Sequence, residues 1–238
     1  RGQGYDGASN MRGHINGLQA LISNDCPYAY YVHCFAHRLQ LALMDASQGV
    51  VALQKFFTRL SFVINVVGAS SKRTDQLRDA QAEEIAYKIY VDELETGKCL
   101  NKIATLQRAG DTRWSSHLKS VSRLIKMLCP TCEVLLKIIK DGHGPITGDT
   151  DSVYEAITTF EFIFVLHLEK EIMEITDLLC QALQRQSQDI CNALRLVAST
   201  KLLLQKMRWN MGWFVVSCYV VLSRMQHWYH WYDFSILY

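Results

Sequence analysis

A chain of 238 residues that is 49% hydrophobic has enough apolar material for a buried core, in one large domain or two small ones. Its 25 Lys and Arg against 23 Asp and Glu leave a net charge of +2, which excludes a bulk field strong enough to impose a nucleic-acid or membrane partner. Any DNA contact has to come from a local patch.

Eight cysteines at irregular spacings, without a leading signal-peptide pattern, fit free thiols in a reducing compartment, cytosol or nucleus. Cys129 and Cys132 form the one pair at metal-like spacing, half of the four ligands zinc takes, and read as structural. The chain opens at Arg1-Gly2-Gln3-Gly4, without Met and inside what reads as a motif, so it is expected to be a fragment or an incomplete gene model.

Gly2 to Gly13 is rich in Gly, Ser and Asn and suits a strand end turning into a helix. Met11, Ile15, Leu18 and Ile22, three and four apart, predict one apolar helical face that ends before Pro27. Ala29-Tyr30-Tyr31-Val32-His33-Cys34 has the aromatic and β-branched composition of a buried strand and runs into a helical pattern from Phe35 to Ala46, a βα unit. Leu53 to Val67 predicts an apolar amphipathic helix, and Asp75 to Glu95 a charged one with a solvated side.

Gly97 to Gly110 is loop-like, and Asp111-Thr112-Arg113-Trp114 opens a helix with Leu118, Val121, Leu124, Ile125 and Leu128 on one face and Pro130 placed to kink it. Asp141 to Asp151 is the clearest linker and the expected domain boundary. Beyond it, Leu168, Ile172, Ile175, Leu179 and Leu183 define one long helix, and Ile190, Leu194, Val197, Leu204 and Met207 the next. Trp209 to Tyr238 changes character, holding four of the five tryptophans, and reads either as genuine coding sequence or as an off-frame tail. Its uncharged run Met211 to Leu222 is short of the roughly 20 residues that cross a bilayer, so no membrane partner is expected.

Three clusters carry candidate chemistry. Gly4-Tyr5-Asp6-Gly7-Ala8-Ser9-Asn10-Met11 sets a carboxylate among small residues that allow close approach, where a metal ligand fits; a turn or helix N-cap role for Asp6 is the alternative. Val32-His33-Cys34-Phe35-Ala36-His37-Arg38-Leu39 is a CxxH at a strand-to-helix junction, where Cys34 and His37 serve packing or supply half of a tetrahedral zinc site. Gly110-Asp111-Thr112-Arg113-Trp114-Ser115-Ser116-His117 sets a guanidinium beside an indole, with Trp114 either a core anchor or a stacking surface. Lys72-Arg73 with Arg78, and Arg108 with Arg113, are the small basic clusters near these motifs; they read as solvated faces, and Asp75, Asp79, Glu83 and Glu84 offset much of their field.

This order of clusters resembles the hAT transposase superfamily, in particular the transposase-derived proteins that accompany TTF-type or MYM-type zinc fingers. The resemblance extends over roughly Arg1 to Arg208 and includes Ile175-Thr176-Asp177-Leu178-Leu179-Cys180-Gln181-Ala182-Leu183-Gln184 as part of a helical region. It implies an RNase H-like core in which two Asp and one Glu hold divalent metal, Mg or Mn, with a helical insertion before the Glu. Asp6 matches the second acid, Cys34 and His37 the family's CxxH, and Arg113-Trp114 its RW motif, whose Trp is associated with stacking on an unpaired base.

Two-metal phosphoryl transfer needs several carboxylates around ions about 3.5–4 Å apart, and one Asp does not suffice. The first Asp is expected upstream of Arg1, and no Glu follows Glu174. Asp6 would therefore bind Mg or Mn only if residues outside this chain complete the site, and no cofactor is expected for the fragment itself. The expectation is a mainly α chain with a small β component: a partial RNase H-like α/β core over residues 1–140, a helical insertion region over 151–208 and an atypical tail over 209–238. The implied function is a transposase-derived, DNA-associated nuclear protein without strand cleavage; a helical module for self-association, or for binding a related transposase-like chain, is the alternative.

Overall fold

In a computed structural model, residues 2–91, 103–110, 114–142, 146–185 and 189–209, with 212 and 218, are described. Among them the chain is mainly helical, with one small parallel sheet of two strands. Strand β1 (Gly2–Tyr5) is followed by α1 (Ser9–Arg12), α2 (Leu18–Asp25), β2 (Tyr30–His33), α3 (Phe35–Gln48), α4 (Val51–Gly68) and α5 (Ser71–Tyr90). Then come α6 (Trp114–Lys126), α7 (Leu128–Asp141), α8 (Ile146–Ile157), α9 (Phe160–Leu183) and α10 (Ile190–Trp209).

The chain divides into two compact units, residues 1–49 with 175–204, and residues 50–174 with 205–238. In the first, β1 and β2 pair in parallel, Gly2 opposite Tyr30 through Tyr5 opposite His33. Register sorts the side chains by period two: Gln3, Tyr5, Tyr31 and His33 lie on the more covered face, while Gly2, Gly4, Tyr30 and Val32 are exposed. The amide of Gln3 donates to Ala29 O at 2.7 Å, pinning the start of β2 to β1.

The single helix expected from Met11 to Ile22 is instead two, α1 and α2. The cause is local: Gly13 and Gly17 approach so closely that a Cβ on Gly13 would stand 2.6 Å from Ser9 O, and one on Gly17 would run into the backbone of Gly13. Ile15, expected on the apolar face, is 85% exposed between the two helices.

The second unit holds the larger core. From α4 come Phe56, Leu60, Val63, Ile64, Val66 and Val67; the other helices add Leu77, Trp114, Val121, Leu124, Leu135, Ile157, Phe162, Ile163 and Leu166, and the junction before α7 adds Met127. Helix α4 is long and apolar enough to cross a membrane by length and composition, but its six buried side chains face the helices of this unit. Helix α7 packs on α4, α5, α6 and α8.

Pro130 does not kink a continuous helix. The chain breaks at Met127, with φ −119° and ψ 22°, and Pro130 falls in the first turn of α7, where its missing N–H costs no helical bond. Gly142, in the left-handed region at φ 62°, closes α7. The expected linker Asp141 to Asp151 is shorter than its composition suggests, because α8 begins at Ile146 and takes in Thr147 to Asp151. This segment lies inside the second unit.

Thr159 Oγ1 accepts from Phe162 N at 3.2 Å to open α9, and Asp189 Oδ1 accepts from Asn192 N at 2.8 Å to open α10. On α9 the buried stripe is Phe162, Ile163, Leu166, Glu169, Met173, Thr176, Leu179 and Cys180. Of the expected stripe only Leu179 is buried, because the true one accepts a Glu and a Thr that an apolar count passes over.

Residues 103–110 have no helix or strand, yet they are tied at three points. Ala104 N donates to Gln81 Oε1 at 2.7 Å, Arg123 Nη1 to Thr105 O at 2.8 Å and Gly110 N to Ser116 Oγ at 2.8 Å.

Candidate functional site

The parallel strands of the first unit end together. Cys34 N donates to Tyr5 O at 2.8 Å, extending the ladder by one bond, so Asp6 and Cys34 leave the sheet at the same, carboxyl-terminal edge. That edge is where open α/β sheets hold their ligands.

Asp6 is exposed there, and its Oδ1 accepts from Ala8 N at 3.2 Å, a local turn that carries the chain toward α1. The N-cap of α1 is Ala8, without a side-chain bond, so Asp6 shapes the approach to the helix rather than capping it. The Tyr31 hydroxyl donates to Asp6 O at 3.0 Å, and the Tyr5 and Tyr31 rings stack at 6.2 Å. The carboxylate is thus carried on a backbone held from the neighbouring strand.

His33, the last residue of β2, sets its imidazole beside Gly7. A Cβ on Gly7 would lie 3.1 Å from His33 Cε1. Its Nε2 is buried with no hydrogen-bond partner among the described residues, and its ring meets that of His37 at 5.5 Å. Cys34 occupies the N-cap of α3, half-buried, and its side chain makes no capping bond. Burial, and then the charge of Asp177, push the thiol of Cys180 up to about 11, and the Gln40 side chain bonds to it. Among the described residues no three or more His, Cys, Asp or Glu side chains gather to hold a metal ion.

No protein-family model and no solved structure matches the chain.

Trp114 lies in the second unit, 2% exposed, in an aromatic nest. Its ring meets His117 at 6.1 Å, His117 meets Phe57 edge-on at 5.4 Å, and Phe56 meets Phe162 at 5.1 Å. In this conformation the indole is a core anchor, and stacking on a base would require the ring to leave that packing. Arg113 lies outside the described residues, as does nearly all of 209–238. Of the residues singled out in the sequence, the fold brings Asp6 and Cys34 to one sheet edge, with His37 in the first turn of the helix beyond, while Trp114 belongs to the other unit.

Tyr31, and the contact of His33 with Gly7, lie outside the roles assigned to the three sequence clusters. The signal for both was present, since Tyr31 and His33 alternate with Tyr30 and Val32 along β2 and so share a face. Glu169, 3% exposed, lies outside the clusters as well, and burial pushes its carboxyl up to about 7.

Proposed function

We propose that the chain is an hAT-transposase-derived, nuclear, DNA-associated protein that does not cut strands with the residues it carries here. In this reading the parallel pair β1–β2 belongs to an RNase H-like core. The supporting observation is the position of Asp6 directly after β1, at the edge where β2 delivers Cys34 and then His37.

Phosphodiester chemistry through divalent metal needs several converging carboxylates. Asp6 brings one, and among the described residues no three or more His, Cys, Asp or Glu side chains gather to hold a metal ion; in this reading Mg or Mn is held only if further acids complete the site. Arg113 keeps its proposed DNA role under this reading; Trp114, buried as a core anchor, would gain one only through a local rearrangement that frees its ring.

The experiment is duplex binding measured across salt, alongside plasmid cleavage with Mg or Mn for the native chain and Asp6→Asn. Salt-dependent binding with no cleavage in either protein supports the reading. Cleavage by the native chain that Asp6→Asn abolishes would sink the non-catalytic half, and absence of duplex binding the DNA half.

A second reading, self-association through helices, is favoured by α10. None of its described side chains is buried, and Leu194, Leu202 and Leu203 are 65%, 58% and 50% exposed. Light scattering that shows a dimer in the native chain and a monomer in Leu194→Gln/Leu202→Gln would support it.

A further inference from the structure

We propose that the cleft between the first turn of α5 and the last turn of α7 is a contact site for a phosphate group, that of a DNA backbone. This inference rests on the DNA-associated reading above and gives it a location. The cleft, about 370 Å³, is lined by Ser70, Lys72, Arg73, Gln76, Ile138 and Asp141. Four of these six bring hydrogen-bond donors, two of them cationic, against one carboxylate.

The donors are arranged rather than merely present. Arg73 Nη1 donates to Val66 O at 2.9 Å in the last turn of α4, which fixes the half-buried guanidinium and leaves its other N–H groups for a ligand. A fork held in advance loses less freedom when it closes on phosphate oxygens. Lys72 has no ion-pair partner among the described residues, whereas neighbouring Arg78 is spent on Asp75 at 3.0 Å. The Ser70 hydroxyl makes no capping bond to its own helix and remains available.

Asp141 opposes an anion, so the site is a modest, salt-sensitive contact and not a deep anion trap. That opposition also gives the proposal its sharpest test. Lys72 and Asp141 are exposed, and Lys72→Gln and Asp141→Asn leave the Arg73 anchor intact; melting curves verify the fold of each variant.

The probes are a short labelled duplex, followed by anisotropy across salt, and inorganic phosphate, followed by ³¹P linewidth. Lys72→Gln is expected to weaken duplex binding several-fold and to reduce the log–log salt slope by about one unit. Asp141→Asn is expected to tighten it. Phosphate broadening that Lys72→Gln removes, without duplex binding, keeps the site but assigns it to a small phosphorylated ligand and sinks the DNA reading. Duplex binding that ignores both substitutions overturns the site and leaves the proposed function standing. Loss of duplex binding in every protein, with no phosphate response, overturns both.

Discussion

The imidazole of His33 stands against the α-carbon of Gly7, with Nε2 3.4 Å and Cε1 3.1 Å from where a side chain would begin. The last residue of β2 thus controls the size of the residue that follows Asp6. Gly7 has no positive φ, so the restriction is one of space.

Gly7→Ala is therefore expected to destabilise the chain by about 0.5–1.5 kcal/mol, the cost of pushing the His33 ring off its rotamer by a few tenths of an ångström. His33→Ala in the same molecule opens the space and should recover part of that loss. Thermal melts of the two single variants and the double variant measure the coupling; strictly additive losses would show that the ring does not limit position 7.

At Trp114 the two roles predict different things. Trp114→Ala should cost about 3–5 kcal/mol, as expected for emptying a large buried site. Trp114→Phe keeps much of the packing, and its affinity for duplex DNA should match that of the native chain. If Trp114→Phe lost affinity while melting unchanged, the indole would be a DNA contact after all.

Glu169 makes stability depend on pH. Burial raises its carboxyl from the usual range to about 7, so between about 4.5 and 7 the folded chain holds a proton that the unfolded chain has released. Its contribution is greatest below that window, falls as pH rises through it and is flat above. Glu169→Gln should remove the slope and gain on the native chain above pH 7, by up to the order of 3 kcal/mol. Denaturant titrations at several pH values read this directly, and parallel curves for the two proteins would refute it.

Thiol reactivity should separate by position. Among the described cysteines, Cys26 and Cys191 are exposed and should alkylate first under native conditions. Burial, and then the charge of Glu84, push Cys129 up to about 12, and Cys180 stands at about 11, so both should stay slow until the chain unfolds. Mass mapping of labelled peptides against time gives the order.

The helices were legible where one period dominates: Leu53 to Val67 and Ile190 to Met207 both lie inside observed helices. The signal failed where a few atoms outweigh the pattern, as at Gly13 and Gly17, whose contact splits a helix that the apolar spacing joins. It also failed on α9, where Glu169 and Thr176 occupy buried positions and shift the stripe away from the leucines. At the candidate site, the strand-to-helix junction at Cys34 was readable from composition. The hold of Tyr31 on the Asp6 carbonyl was not, because it depends on parallel register between segments some 25 residues apart.

The segment 103–110 carries a further consequence. Lacking helix or strand, it has the look of a protease target, yet Ala104 and Thr105 are fastened to α5 and α6 by the side chains of Gln81 and Arg123. A protease needs an extended, detachable peptide, and here detachment must first undo two polar fastenings. The stretch is held like a strap to each of two helices, and cutting there would report that its fastenings to Gln81 and Arg123 had already been undone.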